Sequence, residues 1–219
     1  MQTTIMPGVS LNTFIQSEAG SKTSDDRALA LSLGQGGVIV LADGASGMSG
    51  GAEAAEVVVE AARKAAESGS LRAPEDCMRI LRAADTEAEE HPVAGISTGV
   101  LAVVTEESVF GASVGDSKAW WFGNDSESFE DLTANQIRKP FLGTGRARPV
   151  SFSMPIEAGV LLVASDGLMD YGKPDEIQAV VRGSDDLEQA ARALIELVMY
   201  PWGKLPDDVT VALCRVKMD

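Results

Sequence analysis

Residues 37–68 read GVIVLADGASGMSGGAEAAEVVVEAARKAAES, so that an apolar run, an acidic turn and a long amphipathic stretch follow one another. The run GVIVLA is rich in β-branched residues, which predicts a buried strand ending at Asp43-Gly44. From Ala52 to about Ser68, strong helix formers and apolar positions at helical spacing predict a helix. The sequence therefore predicts that a strand stops at an acidic residue and that a helix follows after a short loop.

Outside this stretch, blocks of strands alternate with pairs of helices. The second predicted helix runs from about Pro74 to Glu90, and two more lie near 174–182 and 185–199. The segment 124–150 has no clean periodicity and is predicted to be mostly loop. The predicted strands are VSLNTFIQ, ALALSL, GVIVLA, STGVLAVVT, SVFGASVG, KAWWFG, GVLLVAS and DVTVALCRV. This order favours an α+β fold, with antiparallel sheet packed against helices, in a single domain spanning 1–219.

Composition excludes several classes of protein. The formal net charge of −15 argues against nucleic-acid binding, because such a chain repels phosphate backbones. No stretch is long and apolar enough to cross a membrane, and the N-terminus lacks the features of a secretory signal, so we expect a cytoplasmic protein. Two cysteines are too few for a disulfide framework. Cys77 is followed by Arg82 after only four residues, which does not fit the spacing of a cysteine phosphatase.

Aspartates recur where apolar strands begin or end. Several carboxylates meeting at one rim would repel one another unless cations lay between them, and hard oxygen ligands select Mg²⁺ or Mn²⁺. Taken singly, each such site is also explained as a turn, because Asp caps its own backbone and Gly takes positive φ. The aspartates in question are Asp25, Asp26, Asp43, Asp116, Asp166, Asp207 and Asp208.

Other catalytic motifs are absent from the sequence. The segment GSKTS lacks the Gly-Lys pair of a phosphate loop, and GQGGVI lacks the third glycine of a dinucleotide fingerprint. No GxSxG nucleophile elbow occurs. The lone histidine, His91, lies beside Pro92 at a predicted helix end, where a solvated side chain is the simpler interpretation.

Four stretches resemble the metal-dependent Ser/Thr protein phosphatases (PPM, type 2C), in that family's order and roughly its spacing. LADGASGMSGGAEAAE looks like the segment VaDGxGGxxxGxxA. STGVLAVV followed by GASVGDSKAWWF looks like the GtT and GDSR strands. LLVASDGLMDYGKPDEI looks like LLaSDGLxD, and PDDVTVALCRV looks like the DNxTxxxV ending. The resemblance spans about Ser24 to Val216, nearly the whole chain.

The resemblance implies a role for individual residues. Asp43 matches the aspartate that bridges two metals, and Gly44 matches the glycine that offers its carbonyl. Asp166 and Asp207 match the further ligands of the first metal, and Asp43, Asp166 and Asp207 are the implied catalytic residues. Asp26, preceded by Asp25, matches the residue that holds waters of the second metal. Asp116 matches the GDS aspartate, which holds a third, weaker metal in some members.

The sequence also departs from the family pattern. An arginine that grips substrate phosphate is replaced by Ser21, and the neighbouring Lys22 is the candidate phosphate-binding residue in its place. Ala45 stands where some members carry a proposed acid, His. Ser46 replaces the first glycine of the GG pair, while Gly47 keeps the second. The flap between Leu132-Thr133 and the next strand is short, and such loops often select substrate.

The resemblance implies hydrolysis of phosphoserine or phosphothreonine in proteins by a hydroxide shared between two cations, Mn²⁺ or Mg²⁺, in phospho-signalling. The implied partner is a phosphorylated protein, with no nucleic acid and no membrane, and we expect a monomer. The implied fold is a central antiparallel β-sandwich flanked by helix pairs, an α-β-β-α four-layer. Two alternatives stay open: a non-catalytic phosphoprotein-binding adaptor, and a regulatory phosphatase dedicated to one partner.

Overall fold

Two antiparallel sheets and five helices form the computed structural model, which describes residues 1–34, 36–45, 49–124 and 127–218. Within these ranges the strands are β1 Gln2–Met6, β2 Val9–Glu18, β3 Arg27–Leu33, β4 Gly36–Ala42, β5 Gly99–Val104, β6 Ser108–Val114, β7 Lys118–Gly123, β8 Glu130–Asp131, β9 Val150–Pro155, β10 Gly159–Ala164 and β11 Val209–Met218. The helices are α1 Gly51–Glu67, α2 Pro74–Glu90, α3 Asp166–Met169, α4 Pro174–Gly183 and α5 Leu187–Val198.

The six-stranded sheet has the order β1-β2-β11-β10-β7-β8, and the five-stranded sheet has the order β3-β4-β5-β6-β9. Each described strand pair is antiparallel. The central strands β4, β5 and β10 are almost wholly buried, because one face meets the other sheet and the other face meets helices. This two-sided burial explains why their sequences are continuous apolar runs rather than alternating ones.

Three hydrophobic clusters fill the spaces between four layers. The first lies between α1–α2 and the five-stranded sheet and contains Val58, Leu81 and Leu101. The second lies between the sheets and contains Leu41, Trp121 and Leu161. The third joins the six-stranded sheet to α4 and α5. The predicted α+β fold, with an α-β-β-α layering and one helix pair on each sheet, is confirmed.

The structure contains elements that the sequence patterns did not indicate. Strand β1 pairs with β2, and β9 pairs with β6 at the edge of the five-stranded sheet. The acidic segment that follows β10 contains the short helix α3, which the sequence patterns did not predict. The segment 124–150, where it is described, is mostly loop as predicted, apart from the two-residue strand β8. In the described ranges, no helix has both the length and the apolar character needed to cross a membrane.

Candidate active site

Sheet register brings the predicted acidic residues to one edge of the sandwich. Leu41 at the end of β4 pairs with Val100 of β5, and Ala164 at the end of β10 pairs with Val211 of β11. Arg27 pairs with Ala42, so the residue that precedes β3 lies next to the residue that follows β4. Antiparallel pairing therefore puts the loops that carry Asp26, Asp43, Asp116, Asp166 and Asp207 at the same end of the strands.

Four of these aspartates line one cavity of about 220 Å³, together with Ala45, Ser97, Thr98 and Phe141. They are Asp43, Asp116, Asp166 and Asp207. A larger cavity of about 450 Å³ lies at the opposite end of the strands, but Asp185 is its sole acidic lining residue among those described. The chemistry of the side chains, rather than the size of the cavity, identifies the acidic cavity as the candidate active site.

The backbone of Asp43 is held by hydrogen bonds to Ser97 and Thr98, the two residues that directly precede β5. Its N–H donates to the Thr98 hydroxyl oxygen at 3.0 Å, and its carbonyl accepts from the Thr98 N–H at 2.8 Å. The Ser97 hydroxyl also donates to the Asp43 carbonyl at 2.9 Å. Ser97 and Thr98 are both buried, so these bonds are shielded from water and hold the carboxylate-bearing residue rigidly at the strand end.

Two glycines at the site are required by close packing. A Cβ on Gly44 would lie 2.3 Å from the carbonyl carbon and oxygen of Gly51, the first residue of α1. A Cβ on Gly167 would lie 2.0 Å from the Asp208 carbonyl oxygen. These contacts let α1 and β11 approach the two acidic turns, so the Asp-Gly pairs serve packing as well as turn formation.

Adjacent aspartates at the start of β11 have different roles. Asp208 accepts from the N–H of Gly20 and of Asp25, each at 2.8 Å, and so ties the loop between β2 and β3 to β11. Asp207 lines the cavity, and one of its oxygens accepts from the Asp208 N–H at 2.9 Å. The prediction chose Asp207 as the ligand, and its place in the cavity is compatible with that role.

Asp26, Asp43 and Asp166 form an electrostatically unfavourable cluster. Burial, together with the charges of Asp26 and Asp166, raises the pKa of Asp43 to about 10. Burial and the charges of Asp116 and Asp207 raise the pKa of Asp166 to about 6. Burial also raises the pKa of Asp26, and nearby Thr210 and Ser165 hydroxyls offset part of that rise. The cluster thus holds protons in the absence of another positive charge.

The carboxyl cluster fits divalent cations by its chemistry. Asp26 is 5% exposed, and although the Ser165 and Thr210 hydroxyls lie nearby, neither of its carboxylate oxygens makes a hydrogen bond of normal geometry with the described part of the chain. Buried carboxylates without well-formed hydrogen bonds are costly, and hard cations such as Mg²⁺ and Mn²⁺ stabilise them. Within the described ranges, no three Asp, Glu, His or Cys side chains are already arranged around one cation position. Waters and small side-chain rotations would therefore have to complete the coordination.

Arg138 is a site residue that the sequence patterns did not reveal. Its Nε donates to Asp116 Oδ2 at 2.8 Å, and the side chains are 64% and 14% exposed. Arg138 lies in the short segment after Thr133, whose Gln136 amide donates to the Ser117 carbonyl at 2.9 Å. These contacts bring a guanidinium to the rim of the cavity, and the only signal in the sequence was a basic residue in an unassigned loop.

Lys22, the predicted phosphate-binding residue, is exposed on the loop between β2 and β3 and is not among the residues that line the acidic cavity. Its role in phosphate binding stays a prediction. Ser46 and Gly47 lie outside the described residues. Ala45, which stands where some family members carry His, lines the cavity.

Solved structures of bacterial phosphatases share the fold of this chain. A bacterial serine phosphatase superposes with a TM-score of 0.83 at 22% identity, covering 95% of this chain and 99% of that one. The catalytic domain of the serine/threonine phosphatase PstP in complex with two manganese ions gives 0.80 at 19% identity, covering 96% and 100%. Stp1 from Staphylococcus aureus gives 0.78 at 23% identity, covering 99% and 98%. No curated protein sequence matches this chain.

The chain therefore has the fold of the bacterial serine/threonine phosphatases. The acidic cavity lies at one edge of the sandwich, where the strands end. Residues 17–139 also match the family profile described as protein phosphatase 2C, which covers more than half of the chain. The chain belongs to the protein phosphatase 2C family, which confirms the resemblance seen in its four sequence motifs.

Proposed function

We propose that this protein hydrolyses phosphoserine and phosphothreonine in proteins and requires two divalent cations, Mn²⁺ or Mg²⁺, to do so. The observation that carries the proposal is the carboxyl cluster of Asp26, Asp43 and Asp166 in a family of protein phosphatases. Its mutual repulsion would be relieved by cations, and family membership connects such a site with phosphoester hydrolysis. The complete set of acidic residues supports an enzyme over a phosphoprotein-binding adaptor.

Asp43 and the Gly44 carbonyl would hold the two cations. Asp166 and Asp207 would complete the first cation's protein ligands, and Asp26 would hold waters of the second. Asp116 is a candidate for a third, weaker ion, but in this structure Arg138 already neutralises it. When bound, the cations supply an activated water and neutralise charge on the phosphoryl group.

The protein's own residues bind and orient the phosphoryl group. The Arg138 guanidinium at the cavity rim has its two terminal nitrogens in a planar fork suited to phosphate oxygens. Phe141 forms an apolar part of the cavity wall, which limits access by water beside the acidic residues. Since Ala45 has no titratable group, the leaving-group proton must come from water rather than from that position.

A covalent cysteine mechanism does not fit this chain. Cys77 is buried on α2, and burial raises the pKa of its thiol to about 12. Cys214 is buried on β11, and burial raises its pKa to about 12 as well. Neither thiol lines the acidic cavity, so neither is available as a thiolate nucleophile near neutral pH.

Release of inorganic phosphate from matched phosphoserine, phosphothreonine and phosphotyrosine peptides, with Mn²⁺ present, tests the proposal. We expect turnover of the first two and little of the third, and we expect Asp166→Asn to remove it while circular dichroism stays unchanged. Tight phosphopeptide binding without phosphate release would instead support the adaptor. Activity on para-nitrophenyl phosphate with negligible activity on generic phosphopeptides would favour a phosphatase dedicated to one partner.

Several further features remain predictions: a single catalytic domain over residues 1–219, a monomeric state and a cytoplasmic location. Size-exclusion chromatography with light scattering checks the oligomeric state directly. Mg²⁺ and Mn²⁺ accept the same oxygen octahedron, so the preferred ion has to be measured by activity with each.

A further inference from the structure

An exposed aromatic surface lies beside the acidic cavity. Tyr171, Tyr200 and Trp202 are 51%, 40% and 69% exposed. Tyr200 and Trp202 stack with ring centroids 4.7 Å apart and an angle of 19° between their planes. Trp120 and Trp121, by contrast, are 4% and 2% exposed. We call Tyr171, Tyr200 and Trp202 the aromatic shelf.

The chain places the aromatic shelf at the candidate active site. Tyr171 follows α3, whose first residue is Asp166, and Tyr200 begins the turn that leads from α5 to Asp207. That turn is closed by bonds from the Tyr200 N–H to the Lys204 carbonyl and from the Gly203 N–H to the Tyr200 carbonyl, each 2.8 Å. Partial burial raises the pKa of Tyr171, and the nearby Asp207 and Tyr200 side chains raise it further.

Such a surface is unusual on a protein in water. Trp and Tyr present large apolar areas, and contiguous exposed apolar patches mark binding sites more often than neutral surface. The Tyr200–Trp202 stack is held by a tight turn and by ring-on-ring contact, so little conformational freedom remains to be lost when a ligand binds. The aromatic shelf is therefore prepared for a partner that touches the ring faces.

Charge around the aromatic shelf favours a cationic partner. Apart from Asp166 and Asp207, assigned to the cations, and the buried Asp208, residues 166–176 and 200–208 carry three exposed carboxylates, Asp170, Asp175 and Glu176, and two lysines. One of the lysines, Lys173, is already paired with Glu176 at 3.0 Å. The whole chain has a formal net charge of −15. Aromatic faces next to carboxylates attract guanidinium and ammonium groups, because the ring quadrupole and the acidic charges act in the same direction.

We propose that the aromatic shelf binds the polypeptide segment that flanks the phosphorylated residue of the substrate, and that an Arg or Lys of this segment lies on the Tyr200–Trp202 rings. This inference rests on the proposed function, because the substrate is taken to be a phosphoprotein. It goes beyond it by assigning a sequence preference: phosphosites with basic neighbours are preferred to phosphosites without them.

The kinetic test compares two phosphoserine peptides, one with arginines on both sides of the phosphoserine and one with glutamines in their place. We expect Trp202→Leu to lower kcat/KM for the arginine peptide by about fivefold, mainly through KM, as the loss of one exposed cation–π contact predicts. The same variant should leave the glutamine peptide and para-nitrophenyl phosphate within about twofold, and Trp202→Phe should recover most of the loss. Ile5→Ala, at a 78% exposed apolar site on β1, is the matched control and should change neither.

A binding test does not depend on turnover. Because Trp120 and Trp121 are buried, quenching of tryptophan fluorescence by iodide reports mainly on Trp202. The unphosphorylated arginine peptide should protect Trp202 from iodide, and the unphosphorylated glutamine peptide should protect it much less. If wild-type protein hydrolysed no phosphoester, the proposed function would fail while this measurement still tested the aromatic shelf.

Three results would overturn the inference. The first is that Trp202→Leu lowers kcat/KM equally for the arginine and the glutamine peptide, or for neither of them. The second is equal protection by the two peptides, which would mean apolar contact without a preference for cations. The third is that, with no peptide present, Trp202 becomes more protected from iodide as the protein concentration rises. That result would mean that a second copy of the chain covers the aromatic shelf.

Discussion

Asp85, buried on α2, holds the segment 143–147, which closely follows Phe141 in the wall of the candidate active site. Its Oδ1 accepts from the N–H groups of Gly143, Thr144 and Gly145 at 2.8 to 3.0 Å, and its Oδ2 accepts from Ala147 at 2.8 Å. Asp85 itself is 4% exposed. A single carboxylate thus satisfies four backbone donors that have no strand or helix to pair with.

The four hydrogen bonds to Asp85 allow the loss of stability on removing this carboxylate to be worked out. A hydrogen bond to a charged group contributes about 1.5–3 kcal/mol. In Asp85→Ala, however, the N–H of the exposed Gly145 lies where water can reach, and the N–H groups of Gly143, Thr144 and Ala147 belong to half-buried residues that water can partly reach. We therefore expect Asp85→Ala to lower the free energy of unfolding by about 3–4 kcal/mol. For a chain of this size that corresponds to a fall in Tm of about 6–16 °C.

Asp85→Asn is the matched control, because it keeps the shape of the side chain. Its amide oxygen can still accept from the three donors that face Oδ1, while its NH₂ group faces the Ala147 N–H and loses that bond. We expect about half the loss of stability found for Asp85→Ala. Urea unfolding followed by circular dichroism, at fixed pH and with EDTA present, measures both variants without interference from cations.

Activity should change with stability in a defined way. Leu142 exchanges two backbone hydrogen bonds with Ser97, of 2.9 and 3.0 Å, and Phe141 lines the cavity, so loosening the segment displaces part of the wall. We expect KM for para-nitrophenyl phosphate to rise several-fold in Asp85→Ala, about an order of magnitude at most. A loss of stability below about 1 kcal/mol would refute the assignment of Asp85 as the anchor of this segment.

Three further predictions concern charge at the site. Arg138→Ala should lower kcat/KM for para-nitrophenyl phosphate about tenfold and Arg138→Lys less, whereas a change below about twofold would exclude a phosphate-binding role. The apparent Kd for Mn²⁺, measured by calorimetry, should fall as the pH rises from about 6 to 8, because protons on Asp43 and Asp166 compete with the cation. A Kd that did not change with pH would contradict the raised pKa values of these two residues. An unfolded Asp has a pKa near 4, whereas the pKa of Asp43 in the folded protein is raised to about 10. In EDTA, the wild-type protein should therefore lose stability as the pH rises from about 4 towards 10, because over this range only the unfolded state releases the Asp43 proton freely. Asp43→Asn should lose less stability over the same range in thermal melts, and an equally steep loss in the variant would show that Asp43 is not the group responsible.

Much of the fold was predictable because local signals were strong. The apolar runs of β4, β5 and β10 and the helical spacing of α1 each predict one structure clearly, and the observed bounds differ from the predictions by few residues. Strands β1 and β9 were missed because each lies at a sheet edge, with a mixed polar and apolar sequence. Their identity as strands depends on a partner distant in sequence, which local patterns do not encode.

The convergence of the acidic residues on one edge of the sandwich was predictable for the same reason, since each follows or precedes a strong strand signal. Arg138 and the residues of the aromatic shelf were not, because loops without periodicity give no indication of what they contact. Asp85 could have been found: with Leu81, Ala84 and Ala88 it shares the helical spacing of the buried face of α2. An acidic residue at a core position of a helix indicates a buried set of donors, which here is the segment 143–147.

Dependence of hydrolysis on Mn²⁺ tests the central claim most directly. Purified wild-type protein and Asp43→Asn are assayed side by side with para-nitrophenyl phosphate, first in EDTA and then over a titration of Mn²⁺. The account predicts no release in EDTA, saturable release with Mn²⁺ in the wild type, and none at any Mn²⁺ concentration in the folded variant. Release by wild-type protein in EDTA, or full activity of Asp43→Asn, would contradict a metal-dependent phosphatase built on this carboxyl cluster.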